Sequence, residues 1–524
     1  VLTAGTRSEP APTPPPVGAE QVNRARRLAR DHGWWLAPPL VAAVLGGWLL
    51  TRAYGLWYDE LYTAELVQVP LGDFLRSLVT GAGTIPYLAD APPSYNGPYY
   101  LVAKVWLAVT GLAPDETGLR LLSLVAAVAA LAVFTRALGR LGGRRVALVA
   151  GLVAATNPFV VQYAAEARGY ALALLATSLC ALGLAGWLEG RPRSLLLYGL
   201  AAAAAGLMHW FALLVPLAFC VAAAVLAGRR AVPLAGVTAA ASLPALSLVA
   251  LALANGVGTS GAWWIADVGL RVPHLLLVSW SAGRDVLLAA TAVAAGVGLV
   301  LARPAHSPAR AVAGAWFAVP LVVVTAVELA RPVYVDRYLL PTLLGLAALV
   351  AIGLTRLPRR AVPLALAAFL AVAVPVTAVE IRAGPKEDAR GAVRALAARH
   401  QPGEPVVAAA RWDALGLDHY ARRDHPALVP DLVLPPASPP ASPTVWVVRR
   451  ARGGVKGDRD KLAALDRDLA DRGLGVAEEW RFPGRHAAVL LQRWTAAGLA
   501  AAGAPAGDAV AADTSPSGPG QGPA

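Results

Sequence analysis

Residues 57 to 66 read WYDELYTAEL and follow an uncharged apolar stretch, so two carboxylates, Asp59 and Glu60, stand side by side where that stretch ends. Trp57, Tyr58 and Tyr62 surround them. On a helix, neighbours point about 100° apart, so the two acids cannot face one reacting atom; one works and the other supports. A carboxylate at the mouth of a water-filled hollow can take a proton from a sugar hydroxyl, or hold a divalent cation, Mg or Mn, against phosphate oxygens, with Asp59 the candidate ligand. The competing reading is that Asp59 caps a helix starting at Glu60 and the aromatics form an interfacial belt.

Two further stretches pair an arginine with a tyrosine at the end of an apolar run. In EARGY (166 to 170), Arg168 can neutralise a phosphate through paired hydrogen bonds, Gly169 lets backbone approach closely and Tyr170 donates another bond. The alternative is a local ion pair between Glu166 and Arg168. YVDRYLLP (334 to 341) repeats the chemistry with Arg337 and Tyr338. Two such pairs on the side of a carboxylate pair point to an anionic lipid headgroup rather than to simple anchoring. Asp90 precedes the rigid turn of DAPPSYNGPYY, Lys104 lies in the apolar segment that follows, and His209 of MHWF is a polar residue at a helix end.

These groups need elements that bring them to one membrane face. The 524 residues are 57% apolar and only 15% charged, against roughly 25% charged in an ordinary soluble domain. Runs such as 231 to 254 and 361 to 379 carry no charge over the length a spanning helix needs. We expect about eleven spans, at 34 to 53, 119 to 138, 145 to 164, 169 to 188, 195 to 211, 212 to 227, 231 to 254, 284 to 303, 311 to 329, 338 to 355 and 361 to 379. The net charge of +13 lies in short arginine clusters between these runs. That pattern is the positive-inside rule and argues against nucleic acid as a partner. With the clusters facing the cytoplasm, all the candidates fall near the outer surface.

The segment 97 to 112 is tempting as a twelfth span, but counting it would split the arginine clusters between sides. It is therefore expected to lie on the outer face, with Lys104 snorkelling and Trp106 in the interface. Residues 53 to 118 then form one external loop. Residues 1 to 33 are expected to be a disordered cytoplasmic leader and 34 to 379 the transmembrane domain. Residues 380 to 494 turn water-soluble and pattern as a small external α/β domain, and 495 to 524 as a disordered tail. Cys180 and Cys220 sit inside apolar runs and read as small buried hydrophobes.

Taken in order, YDELY, PPSYNGPYYLVAKVW, RLLSLVAAVAALAVFTRALGRLGGRR, NPFVVQYAAEARGYALAL and YVDRYLLPTLLGL resemble the GT-C class of membrane glycosyltransferases. The likeness is to the glycosyltransferase family 39 type, with protein O-mannosyltransferases and lipid A aminoarabinose transferases, over roughly residues 34 to 410. It implies a polytopic helical GT-C fold with a small extracytoplasmic α/β domain in a bacterial plasma membrane. The implied reaction moves a sugar from a polyprenyl-phosphate donor to a hydroxyl of an envelope glycan, lipid or protein. Asp59, with Glu60, would then be catalytic. Arg168, Tyr170, Arg337, Tyr338, Lys104, Glu166 and Asp90 would contact donor phosphate or substrate. Many members have His-Pro-Pro where this chain has Ala91, Pro92 and Pro93, which leaves that histidine's role absent or moved to Asp90. A rival reading is a flippase for lipid-linked sugars without bond chemistry, which would place ionisable residues nearer the bilayer midplane. A third is a scaffold for an envelope complex built on the 380 to 494 domain.

Overall fold

A computed structural model describes residues 33–256, 265–300, 307–451 and 456–496. The expected leader before Gly33 and the tail after Ala496 lie outside the described residues, as do 257–264 between the expected spans 231–254 and 284–303. The chain is a multi-pass helical membrane protein with a small C-terminal sheet domain. The first crossing, α1 (Ala37–Thr51), is followed by three helices outside the bundle: α2 (Tyr58–Leu66), α3 (Leu71–Thr80) and α4 (Gly97–Thr110). Then come α5 (Glu116–Ala155), α6 (Pro158–Ala164), α7 (Tyr170–Leu188), α8 (Ser194–Met208), α9 (Leu214–Ala227) and α10 (Val232–Ala254). The bundle closes with α11 (Val272–Trp280), α12 (Asp285–Val300), α13 (Ser307–Glu328), α14 (Leu343–Leu354) and α15 (Val362–Arg382).

Among the described residues, 7 helices are long and apolar enough to cross a membrane, or 8 with the bent pair α11 and α12 counted as one. Two of these stretches, of 40 and 45 residues, exceed one crossing and each carries two of the apolar runs. The first breaks at Gly143, whose φ of 82° no helix contains; the second passes through a short turn at Gly228–Ala231. Helix α8 is shorter than a full crossing, which is why length alone finds fewer spans than the apolar pattern does. Leu40, Val44, Leu200 and Leu364 point outward, each more than half exposed, as side chains facing lipid do. Inside, α7 and α8 cross closely. A Cβ on Gly183 would lie 2.9 Å from the backbone of Tyr198, so only glycine fits there.

After α15 the chain forms α16 (Ala389–Ala397), α17 (Arg411–Asp424), α18 (Lys456–Asp471) and five strands. The strands are β1 (Val406–Ala408), β2 (Leu432–Val433), β3 (Thr444–Arg450), β4 (Gly475–Phe482) and β5 (Val489–Thr495), in the order β2-β1-β3-β5-β4. β1 runs parallel to β2 and β3, and β5 is antiparallel to β3 and β4.

This domain shares a core with the segment between α1 and α5. Leu56 and Leu61 pack in one cluster with Leu415, Leu417, Tyr420 and Trp446, all nearly fully buried. At about 1.5–3 kcal/mol per buried large apolar side chain, that contact suffices to hold the domain against the loop. Polar pairs set its register. Tyr420 Oη donates to Glu116 (3.0 Å) and accepts from the Leu56 N–H (2.6 Å), Arg423 donates to Glu116 (2.9 Å), and Glu65 accepts from Arg422 (2.8 Å) and lies 3.0 Å from His419 Nδ1.

Burial alone would raise the Glu65 carboxyl, but the hydrogen bonds from His419 and Arg422 hold it below its ordinary value. A lowered carboxyl stabilises the docked state above its unfolded pKa, and that contribution is lost as pH falls through the folded value. Glu65→Gln should therefore lower the thermal midpoint at neutral pH, with the gap to wild type closing below about pH 4. Arg422 is 44% exposed, so solvent screening keeps the gap small. A gap that persists unchanged into acid would show that the Glu65 charge does not hold the domain.

Candidate functional site

Helix α2 starts at Tyr58, and its geometry separates the two acids. Glu60 is 1% exposed and reaches back toward the Trp57 N–H (3.4 Å), in the manner of a capping residue. Its carboxylate is held by Arg120 from α5, Nε to Oε1 at 2.8 Å and Nη2 to Oε2 at 2.5 Å, and accepts the Ala167 N–H at 2.9 Å. Arg120 spends its remaining N–H groups on the Tyr54 and Gly55 carbonyls. Glu60 is thus a structural knot that ties the loop after α1 to α5 and to the backbone next to Arg168. It is not a catalytic partner of Asp59, because all its bonding capacity is spent on the protein. The expected cap is Glu60 rather than Asp59.

Asp59 faces the other way. Its side chain is 17% exposed, and Arg337 Nη2 lies 3.7 Å from Oδ2. At that distance the two attract without a hydrogen bond, so both keep capacity for a ligand. Arg337 and Tyr338 sit on a tight 3-10 turn, Asp336–Thr342, at the start of α14. Asp336 fixes the turn by accepting the Arg337 N–H (2.7 Å) and the Ser279 hydroxyl (2.9 Å). Arg337 Nε donates to Tyr170 Oη at 3.0 Å, and the guanidinium lies 5.6 Å from the Trp57 ring centre and 5.8 Å from that of Tyr338. Tyr170 opens α7, so EARGY and YVDRYLLP, far apart in sequence, meet here.

Arg168 is half-buried, donates to Tyr100 Oη at 2.8 Å and lies 5.9 Å from that ring's centre. Among the described residues no carboxylate comes within ion-pair distance of it. A half-buried arginine with a phenol as its hydrogen-bond partner keeps N–H groups with which it can bond an anion. Gly169 lets the start of α7 pack against the end of α8: a Cβ there would stand 2.4 Å from the Met208 carbonyl oxygen. His209, 6% exposed, completes an aromatic wall with ring centres 4.7 Å from Tyr338 and 5.4 Å from Tyr170.

Three expected contacts lie elsewhere. Lys104 neither snorkels nor reaches the site. Its ammonium donates to the Val67 carbonyl (2.8 Å) and to that of Val69, satisfying carbonyls left over at the end of α2. Trp106 likewise bonds the Gly118 carbonyl (2.9 Å), while Val105 and Val109 take the exposed face of α4. Asp90 is 66% exposed and pairs with Arg411 of α17, on the C-terminal domain. Glu166 does not pair with Arg168. It is fully enclosed and bonds Lys386, on the strap between α15 and α16. Burial raises the Glu166 carboxyl and lowers the Lys386 ammonium, opposing the stabilisation each gains from the other.

Sequence reasoning missed Arg120, Tyr100 and Lys386. Arg120 left a signal, a lone charge at the start of an apolar run, which demands a partner. Lys386 left none, since it lies in a stretch that reads as soluble.

A divalent cation does not suit the donor set, which offers one carboxylate, Asp59, against two guanidinium groups. Among the described residues no three His, Cys, Asp or Glu side chains converge as metal ligands. The arrangement can seat an anion beside a single carboxylate.

The same architecture is found in solved membrane proteins. No protein-family model matches the sequence and no curated protein is significantly similar to it. By structure, the chain is similar to ArnT from Cupriavidus metallidurans in the apo state, with TM-score 0.53, 14% identity and coverage of 88% of this chain and 98% of that one. The same protein bound to undecaprenyl phosphate gives 0.51 at 15% identity, over 88% and 98%. The apo Archaeoglobus fulgidus oligosaccharyltransferase gives 0.51 at 13% identity, over 87% and 74%. The fold is therefore the GT-C membrane fold that these solved structures share.

Proposed function

We propose that this protein is a glycosyltransferase that moves a sugar from a polyprenyl-phosphate donor to a hydroxyl of an envelope glycan, lipid or protein. The observation that carries the reading is Arg337 standing 3.7 Å from the Asp59 carboxylate while its Nε bonds Tyr170, two residues past Arg168. The GT-C fold, and the undecaprenyl phosphate named for the similar ArnT structure, support it. In this reading the site faces outward from a bacterial plasma membrane, with the arginine clusters and the N-terminus in the cytoplasm.

The chemistry is a single displacement. Asp59 takes the acceptor hydroxyl proton as that oxygen attacks the anomeric carbon, and the bond to the phosphate oxygen breaks, releasing polyprenyl phosphate. Arg337 and Arg168 stabilise the charge gathering on the departing phosphate, an effect worth about 3 kcal/mol for a well-placed donor. Tyr170 fixes the Arg337 fork and Tyr100 that of Arg168. Without a covalent intermediate the anomeric centre inverts.

The test uses purified protein in lipid nanodiscs and in vesicles, supplied with polyprenyl-phosphate sugars and envelope acceptors. Transfer with inversion supports the reading. Movement of the lipid-linked sugar between leaflets with no transfer would favour the flippase instead. Arg168→Gln should weaken polyprenyl-phosphate binding about 10- to 100-fold, the worth of one charged hydrogen-bonding group. Unchanged affinity would remove Arg168 from the phosphate seat.

A further inference from the structure

The C-terminal domain touches each of the three residues that run into Asp59. The Leu56 N–H donates to Tyr420 Oη of α17 at 2.6 Å. The Trp57 ring is stacked by His486, from the turn between β4 and β5, with centres 5.2 Å apart and planes 15° from parallel. The Lys386 ammonium lies 4.2 Å from the centre of the same ring. Tyr58 meets Arg450 at the end of β3, whose guanidinium is 5.2 Å from its ring centre, and Trp412 of α17 at 6.0 Å. These grips are themselves fixed. The Arg485 and His486 N–H groups bond the Pro385 and Lys386 carbonyls (3.0 and 2.9 Å), which ties the turn to the strap between α15 and α16. Lys386 is held by Glu166, Arg450 by Asp413 at 2.8 Å, and Tyr420 donates to Glu116 at 3.0 Å.

Asp59, by contrast, has little of its own to hold it. Among the described residues its carboxylate accepts no hydrogen bond, and its ion pair with Arg337 is loose at 3.7 Å. Helix α2 has nine residues, and Asp59 is the second of them, so the way the chain enters the helix decides where the carboxylate points. A general base must lie within hydrogen-bond reach of the proton it takes, and a misplacement of about 1 Å can cost on the order of 10²-fold in rate. The entry is fixed from outside: Leu56, Trp57 and Tyr420 are all buried, so water does not compete for the contacts that hold it.

We propose that the C-terminal domain is a brace on the entry to α2, with Tyr420 and His486 positioning residues that aim the Asp59 carboxylate through Leu56 and Trp57. The inference rests on the transferase reading for the task that Asp59 performs. The brace itself rests on contacts with the backbone and rings of residues 56 to 58, and neither Tyr420 nor His486 meets the reacting groups.

The experiment uses the full chain in nanodiscs and three variants, Tyr420→Phe, His486→Leu and His486→Phe. Hydrogen exchange read by mass spectrometry over residues 54 to 62 reports the brace without any reaction. Exchange there should quicken about five- to tenfold in Tyr420→Phe, as for one lost hydrogen bond, and about two- to tenfold in His486→Leu, as for one lost ring stack, while the bundle helices exchange as in wild type. Turnover per polyprenyl-phosphate site should fall about tenfold or more in both. Affinity for polyprenyl phosphate should stay at the wild-type value, since Tyr100 and Tyr170 still hold Arg168 and Arg337. Counting turnover per site cancels any misfolded fraction, which loses sites and rate together. His486→Phe keeps a flat ring against Trp57 and should restore both exchange and turnover. Tyr420→Phe deletes a single oxygen and carries the test if His486→Leu fails to fold. Wild-type exchange and turnover in Tyr420→Phe and His486→Leu would overturn the inference. So would a rise in exchange across the whole chain with affinity and turnover falling together, which would leave the contacts a matter of stability alone. If wild type transfers no sugar while exchange at 54 to 62 responds as stated, the transferase reading fails and the brace stands. Transfer by wild type with unresponsive variants sinks the brace alone.

Discussion

Asp59→Asn lowers the turnover of sugar transfer by about 10²- to 10⁴-fold while polyprenyl phosphate still binds, because the substitution removes a proton acceptor and little else. The side chain keeps its size, and its nearest charged neighbour, Arg337, sits at 3.7 Å without a hydrogen bond to lose. Arg337 is also held by Tyr170, so it stays in place when the aspartate charge goes. Turnover measured at saturating donor separates the two effects. A variant as active as wild type would take Asp59 out of the chemistry, and equal loss of binding and turnover would make it a binding residue instead.

Arg120→Met destabilises the protein by about 3–5 kcal/mol, since it strands the buried Glu60 carboxylate without its guanidinium partner. Glu60 has 2% and Arg120 13% side-chain exposure, so solvent cannot screen the loss. The effect reaches further than stability. Glu60 also holds the Ala167 N–H, one residue before Arg168, and Arg120 holds the Tyr54 and Gly55 carbonyls that lead into α2. The variant should therefore melt earlier and lose activity together, whereas Asp59→Asn should lose activity alone. Pairing Arg120→Met with Glu60→Leu removes both charges and should recover most of the thermal midpoint. If the single variant melts like wild type, the knot is not what positions the loop.

How much of this could be read from the chain depends on where each charge sits. Asp59, Arg168 and Arg337 stand at the ends of apolar runs, so hydrophobic length alone sends them to a membrane surface, and shared parity sends them to the same one. That Arg337 reaches both Asp59 and Tyr170, two residues past Arg168, follows from helix packing that no spacing encodes. Lys104 shows the limit of the same logic. A lone lysine on an apolar helix reads as snorkelling, but α4 packs against the end of α2, and two unpaired carbonyls there outbid the headgroups. Asp90 and Glu166 were misplaced for a different reason. Their partners, Arg411 and Lys386, lie more than 200 residues further along in the soluble domain, and its docking is carried by apolar contacts invisible to local pattern. The crossings behaved in between: apolar runs marked the helices, but Gly143 and the turn at Gly228–Ala231 join neighbouring runs into stretches that length alone counts once.

The most direct test is a structure of the full chain determined by electron microscopy in nanodiscs with polyprenyl phosphate added. The account predicts phosphate oxygens within hydrogen-bonding distance of both Arg168 and Arg337, with the Asp59 carboxylate open toward the position the sugar carbon would occupy. A lipid phosphate bound elsewhere, with Arg168 and Arg337 turned away from it, would contradict the account.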